Sequence, residues 1–355
     1  MKAFISACSI FTLFLLWILF VTGCGGVSSS SKPPANPPAL SAPPGGSGGG
    51  GGGGAPASSI LVANRGSGSV SVIDAASNTV PATASASVSG AGIAVTPDRR
   101  FAYASSTVSA SSTVSVIDLS SNQVTATVQN IPTSGAIAIS QDGSRAYVIS
   151  SGHMATNAVS VIDTKANQVI ASVPNQGIAP SGITIPPNNP FAYIGDSEGT
   201  SIQVMDTRTN TRTAFIDHVP AQNLAASPDG RFVYASEMFA NAVAVISTES
   251  NTVVDSIPIT SPAGLAVTSD GAFLFVAQQS SDTVAVLSVQ GKNTVATVQV
   301  GSRPVDITMS PDGNTAYVAN SGSNTVSAIR VADRVVVATI SVGTGPEAIA
   351  SGRSH

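Results

Sequence analysis

One sequence unit recurs through most of the 355-residue chain and restricts the folds that the chain can adopt. The unit is clearest at residues 303–333, RPVDITMSPDGNTAYVANSGSNTVSAIRVAD. It reads as an apolar strand, a turn, an aromatic strand, a polar loop, a Val/Ile strand, and a turn before a fourth strand. Seven copies, about 41 to 45 residues apart, are typical of an all-β, seven-bladed β-propeller with four-stranded antiparallel blades. The second strands of these copies begin at Ile60, Phe101, Ala146, Phe191, Phe232, Phe273 and Thr315.

Two features of the repeat have a structural interpretation. The turn sequences Pro228-Asp229-Gly230 and Pro311-Asp312-Gly313 predict hairpin turns, because Pro presets φ, Asp bonds the nearby backbone and Gly accepts positive φ. An aromatic position in the second strand predicts packing between blades rather than a platform that stacks on ligands. That position holds Tyr103, Tyr147, Tyr193, Tyr234 and Tyr317, with Phe275 in the sixth repeat.

The two ends of the repeat region complement each other. The region begins with a second strand at residues 60–64 and ends with a first strand at residues 346–350. We therefore expect one blade to be shared between the N-terminal and C-terminal strands, which closes the ring and leaves no open inner edge.

The composition of the chain argues against binding to nucleic acid. Only 10% of residues are charged, 43% are apolar, and the formal net charge is −4. No run of lysines or arginines provides the electrostatic footprint that nucleic acid requires, so we expect no nucleic-acid partner.

The N-terminal segment predicts export. Lys2 precedes an apolar run from Ala3 to Val21. The sequence Val21-Thr22-Gly23-Cys24 resembles the lipobox of bacterial lipoproteins, a family in which the cysteine is acylated and becomes the mature N-terminus. Residues 1–23 are then a lipoprotein signal peptide and Cys24 is the lipidation site. An uncleaved anchor helix or ordinary secretion is the alternative.

A Ser/Pro/Gly-rich stretch follows the cysteine. Residues 24–59 contain too little apolar surface to fold, so we expect a disordered tether between the acylated Cys24 and a propeller at residues 60–355. The predicted membrane contact is the lipid. Gly25 stands where many inner-membrane lipoproteins carry an acidic residue, which favours the outer membrane, with the propeller in the periplasm or on the surface.

The repeats carry a family resemblance. The sequences Tyr317-Val318-Ala319-Asn320 and Ser227-Pro228-Asp229-Gly230, together with residues 113–118 (TVSVID), resemble the YVTN family of β-propeller repeats in bacterial and archaeal envelope proteins. The resemblance extends from Ile60 to about residue 352 and implies the fold rather than an activity. Seven-bladed lactonase-like propellers are a neighbouring family with similar repeats. No set of His, Arg and Glu residues maps onto a lactonase site.

Irregular loops indicate a candidate site. Three successive repeats depart from the small polar loop at residues 152–154 (GHM), 196–198 (DSE) and 237–239 (EMF). Ordinary loop variation is one interpretation. The other is a ligand or cation site, in which oxygen ligands suit Ca²⁺ and the neighbouring His218, Met154 and Phe239 suit an organic cation. This predicted rim site comprises Asp196, Glu198, Asp217, His218 and Glu237.

These observations favour a monomeric, lipid-anchored envelope propeller that acts as a non-enzymatic binding, interaction or surface-display module. No cofactor is expected, and a protein or a small molecule on the loops is the expected partner. The alternative is a hydrolase of the lactonase-like type, with His218 as a base near the acidic rim.

Overall fold

The computed structural model describes residues 58–89, 92–108, 111–131, 135–150, 157–175, 177, 179–199 and 201–352. The predicted signal peptide, Cys24, nearly all of the predicted tether and the loop at residues 152–154 lie outside the described residues. The described part of the chain is built of 28 strands. It contains no helix long and apolar enough to cross a membrane.

The strands have the following bounds. In the first four repeats they are β1 (Ser59–Asn64), β2 (Ser69–Asp74), β3 (Thr79–Ser85), β4 (Ile93–Val95), β5 (Phe101–Val108), β6 (Ser111–Asp118), β7 (Gln123–Ile131), β8 (Ile137–Ile139), β9 (Arg145–Ser150), β10 (Ala158–Asp163), β11 (Gln168–Pro174), β12 (Pro180–Thr184), β13 (Phe191–Asp196), β14 (Ser201–Asp206) and β15 (Thr211–Asp217). In the remaining repeats they are β16 (Leu224–Ala226), β17 (Phe232–Glu237), β18 (Ala242–Ser247), β19 (Thr252–Pro258), β20 (Pro262–Val267), β21 (Phe273–Gln278), β22 (Thr283–Ser288), β23 (Asn293–Gln299), β24 (Pro304–Met309), β25 (Thr315–Asn320), β26 (Thr325–Arg330), β27 (Val335–Ser341) and β28 (Pro346–Ser351).

The strands form seven four-stranded antiparallel sheets. Blade 1 has the order β28-β1-β2-β3, and blades 2 to 7 each use four consecutive strands, from β4–β7 to β24–β27. Within a blade the strands are named A to D, starting from the central channel. The A strands of neighbouring blades contact one another around the whole ring, including β28 against β4 and β24 against β28. The predicted all-β, seven-bladed propeller is therefore confirmed.

Blade 1 joins the two ends of the domain. Strand β28 pairs antiparallel with β1, with Leu61 opposite Ala350 and Val62 opposite Ile349. Ile349 is buried at the interface between blades 7 and 1. The expectation of a shared closing blade is confirmed.

The turns between strands A and B show why the Asp and Gly residues recur. In blade 5 the hydroxyl of Ser227 donates to Asp229 Oδ1 at 2.6 Å, and the same oxygen accepts from the backbone N–H of Arg231 at 3.0 Å. Gly230 between them has φ +72°, a conformation that glycine adopts without strain. These aspartates hold hairpin turns, as predicted.

The tyrosines join each blade to the next. Tyr193 is fully buried, and its hydroxyl donates to Asn251 Oδ1 of the following blade at 2.6 Å. Tyr103 and Tyr317 make the equivalent bonds to Asn167 and Asn78. In blade 1 the position holds Leu61, and the Oδ1 of Asn122 in blade 2 has no partner. The aromatic position packs between blades, as predicted.

Replacement of Tyr193 by Phe is expected to lower the free energy of unfolding by about 1 kcal/mol, because the half-buried Asn251 Oδ1 loses its donor. Urea denaturation measures the change. Tyr234→Phe is the matched control, since the next blade has Lys292 at the asparagine position and the Tyr234 hydroxyl bonds to no described residue. Equal losses in the two variants would contradict this account.

Candidate functional site

The two faces of the ring differ in their connections. The loops between strands B and C and the connections from strand D to the next strand A open on one face, here called the loop face. The hairpins between A and B and between C and D form the opposite face, the turn face. The central channel opens on both faces, and the ends of the A strands line each opening.

A polar cavity of about 470 Å³ forms the opening on the loop face. We call it the channel mouth. Its polar and charged lining residues are Ser181, Ser197, Gln222, Asn223, Gln279, Arg303, Asp306 and Glu347. The opening on the turn face, about 560 Å³, is lined among the described residues by apolar, hydroxyl and amide side chains without a charged one. Ionisable groups thus gather at one end of the channel.

One position in the A strands lies close to the A strand of the next blade. It holds a small residue in five blades because adjacent backbones approach closely there. At Gly264, for example, an added Cβ would lie 2.4 Å from the Cα of Asp306 in the next blade. The position is occupied by Gly92, Ala136, Gly182, Asn223, Gly264, Asp306 and Ala348. Only Asn223 and Asp306 bring a long polar side chain into this ring.

Asp306 combines a charged group with an enclosed position. Its Oδ1 accepts a hydrogen bond from the backbone N–H of the next residue, Ile307, at 2.9 Å. Its Oδ2 accepts one from the backbone N–H of Ile349, also at 2.9 Å. The second bond crosses from blade 7 to strand β28 of blade 1. Burial outweighs these two hydrogen bonds and raises the pKa of Asp306 to about 7. The carboxyl group can therefore exchange a proton near neutral pH.

Other groups around the channel mouth have unused bonding capacity. Arg303 is exposed, and its own backbone N–H is held by Asp282 Oδ1 at 2.7 Å. Glu347 lies 4.0 Å from the exposed guanidinium of Arg65. The Oε1 of Gln222 is buried and accepts no hydrogen bond. The mouth thus presents a guanidinium, carboxyl groups and amides to one cavity.

The loop face as a whole is acidic. Arg65 and Arg303 are its cationic residues among those described, whereas seven of the 19 acidic residues lie there. An acidic face favours neutral or cationic ligands over anions. The seven are Asp196, Glu198, Asp217, Glu237, Asp282, Asp306 and Glu347.

Asp196 of the predicted rim site points into the protein. It is 4% exposed, and its Oδ1 accepts from the backbone N–H groups of Ala179 at 2.9 Å and Gly199 at 2.8 Å. Glu198, two residues later, is exposed. The two carboxylates thus differ in environment although they are adjacent in sequence.

Glu237 is also buried, but in a different interface. It follows Val233 and Ala235 on the face of β17 that packs against blade 4, and burial raises its pKa. Asp196 packs against the connection from blade 3, so blade 4 separates the two carboxylates. Asp217 and His218 are exposed, with His218 at φ +64°. Within the described ranges no three His, Cys, Asp or Glu residues group as metal ligands. A ligand at the rim remains a prediction.

Part of the chain is similar to one known protein family. Residues 191–299 match the family model described as "Lactonase, 7-bladed beta-propeller". The match runs from the start of β13 to the end of β23, less than half of the chain. It includes Gln222, Asn223 and Gln279 of the channel mouth and stops before Arg303. No curated protein matches the chain significantly.

Solved structures share the architecture. Hydrazine synthase of Kuenenia stuttgartiensis is 25% identical, with a TM-score of 0.70 over 78% of this chain and 93% of that one. A periplasmic gluconolactonase of Pseudomonas aeruginosa is 19% identical, with a TM-score of 0.70 over 83% and 98%. A putative 6-phosphogluconolactonase of Bacteroides uniformis is 15% identical, with a TM-score of 0.69 over 83% and 99%. These similarities show a shared propeller fold.

Proposed function

We propose that the protein is an envelope-anchored binding module whose channel mouth holds a small, polyhydroxylated ligand that is neutral or cationic. The observation that carries the proposal is the gathering of Arg303, Asp306 and Glu347 with three amide side chains at one end of the channel. Carboxyl and amide groups bond hydroxyls as donors and acceptors, and the acidic loop face repels anions.

Two sugar derivatives of similar size and opposite charge test this proposal. At pH 7, calorimetry should show that D-glucosamine binds and that D-gluconate binds more weakly. Glu347→Gln should weaken glucosamine binding about tenfold, the usual effect of losing a hydrogen bond to a charged group. Glu249→Gln, an exposed turn-face change, is the control. Absence of heat with both sugars would end the proposal for this class of ligand.

Lactone hydrolysis is the second candidate, favoured by the lactonase match at residues 191–299 and by Asp306. In this reaction the Asp306 carboxylate takes a proton from water as the water oxygen adds to the lactone carbonyl. The ring C–O bond of the tetrahedral intermediate then breaks, and Asp306 returns the proton to the departing alkoxide oxygen, which gives a hydroxy acid. Arg303 would stabilise the oxyanion. A lactone is neutral, which agrees with an acidic entrance, and the anionic product would be repelled.

Hydrolysis of D-glucono-1,5-lactone above its spontaneous rate is the measurement for this second candidate. The rate should rise as pH increases through about 7, because only the ionised Asp306 acts as a base. Asp306→Asn should return the rate to background, and Glu249→Gln on the exposed turn face should leave it unchanged. A wild-type rate equal to background would exclude this substrate.

The anchor is part of the proposal. The lipobox-like sequence before Cys24 supports acylation there and placement in the outer membrane. Cys24→Ala should abolish palmitate labelling and leave a larger precursor on a gel. Ser29→Ala, in the tether, should be labelled and processed normally. Equal labelling of the Cys24 variant and the wild type would reject Cys24 as the acceptor.

A further inference from the structure

A second polar site lies between blades 3 and 4, near the loop face and outside the channel mouth. It is formed by Asn175 after strand β11, Asp196 at the end of β13 and Gln203 in β14. Their exposed fractions are 8%, 4% and 2%, so the three side chains are enclosed by protein. Burial of three polar groups requires that each finds a bonding partner.

Two of these residues break the repeat pattern. The backbone N–H of Asn175 donates to the carbonyl oxygen of Asn157. The equivalent bonds in blades 6 and 7 are donated by Val300 and Val342. Asn175 therefore takes a position that is apolar in other blades. Gln203 takes a position held elsewhere by Ser71, Ser115, Ser160, Ala244, Ala285 and Ser327. This interface thus has a long amide where other blades have a small side chain.

The repeat also places Asp196 and Gln203 at two positions whose side chains contact each other in blades 1 and 7. In blade 1 the residue equivalent to Asp196 is Asn64, whose Nδ2 donates to Ser71 Oγ at 2.9 Å. The same pair in blade 7, Asn320 and Ser327, bonds at 3.0 Å. Asp196 and Gln203 occupy these two positions in blade 4.

Gly177 places the third residue beside them. A Cβ on Gly177 would lie 2.4 Å from Asp196 Oδ2 and 3.2 Å from Asn175 Oδ1. Asn175 and Asp196 therefore flank the same glycine. The ladder between β13 and β14 stops at Ile194 and Gln203, whereas the ladder in blade 7 continues to Asn320 and Thr325. The two strands no longer pair beside the three polar side chains.

The bonding capacity at this point is mixed. Asn175 Nδ2 and both the Nε2 and Oε1 atoms of Gln203 are buried without a partner in the described structure. Two of these atoms are N–H donors and one is an acceptor. A metal ion would satisfy the oxygen and leave both donors unpaired. Water both donates and accepts, and typically makes two to four bonds in such sites.

We propose that the interface between blades 3 and 4 is a binding site for ordered water, roughly one or two molecules, that bonds Asn175 and Gln203. The site is distinct from the channel mouth and independent of any ligand held there. It makes blades 3 and 4 meet through water at a point where Ser71, Ser115 and Ser327 bond directly to the preceding blade.

Magnetic relaxation dispersion of ¹⁷O water counts long-lived internal waters and tests the site. The double variant Asn175→Val/Gln203→Ala restores the residue types of other blades and should lose roughly one or two such waters. Gln299→Ser, at an exposed glutamine, should lose none. An unchanged count in the double variant would overturn the proposal.

A crystal structure of the wild-type protein provides a second test that needs no variant. Water density within hydrogen-bonding distance of the Gln203 amide is the expected result. Absence of water density at the Gln203 amide, or a stoichiometric metal found there by elemental analysis, would overturn the proposal.

Discussion

Removal of residues 345–355 is expected to unfold the propeller or leave it only marginally stable. Strand β28 contributes about four or five hydrogen bonds to β1 at roughly 1 kcal/mol each. Burial of Ile349 adds about 2 kcal/mol. The sum approaches the 5 to 15 kcal/mol that typically separates folded from unfolded domains. Circular dichroism and thermal unfolding of the truncated chain measure the loss.

Removal of residues 353–355 alone is the matched control for this truncation. It leaves β28 and its pairing with β1 intact, so the unfolding midpoint should stay at the wild-type value. A full truncation that melts like the wild type would show that the ring does not depend on the shared blade.

The stability of the wild-type protein is expected to fall between about pH 4 and pH 7 because of Asp306. Folding raises the pKa of this carboxyl group from 3.8 to about 7, so the folded state holds a proton that the unfolded state releases in this range. The contribution is fully present below pH 4 and is lost by pH 7. Three pKa units correspond to at most about 4 kcal/mol.

Asp306→Asn tests this prediction, because the amide cannot ionise. The amide has one acceptor oxygen, so the variant loses one of the two backbone hydrogen bonds at every pH. Its unfolding free energy relative to the wild type should rise by up to about 4 kcal/mol between pH 4 and pH 8. Arg303 and Glu347 line the same cavity, and Glu237 has a raised pKa of its own. The difference between the two proteins, measured by urea denaturation across pH, removes these common contributions. Parallel profiles from pH 4 to pH 8 would contradict the assignment.

The fold was predictable because the same strand and turn pattern recurs seven times in the sequence. A turn such as Pro228-Asp229-Gly230 has a single local solution, and Tyr193 at its recurring position already implies a neighbouring blade. The first and last strands were complementary in type, so β28 beside β1 followed without knowledge of any contact. Local chemistry and ring topology thus agree at each step.

The candidate site was harder to predict, for a physical reason. Charged loop residues predict a ligand site at the rim. Whether a carboxylate such as Asp196 or Glu237 faces solvent, however, depends on packing between blades. Asp306 does carry a signal in the sequence, namely a charged residue where five repeats have Gly or Ala. Its pKa and its bond to Ile349 depend on the assembled ring.

The shared blade also determines where the covalent chain is interrupted. Ile60 and Ser351 are paired on adjacent strands. The first and last strands of the domain therefore start and finish at the same end of one sheet, on the turn face. The gap in the polypeptide therefore falls inside a hydrogen-bonded sheet, and the contacts between neighbouring blades continue around the whole ring. A thermal fluctuation that opens the circle must first peel one strand from a sheet, so opening and local unfolding become the same event.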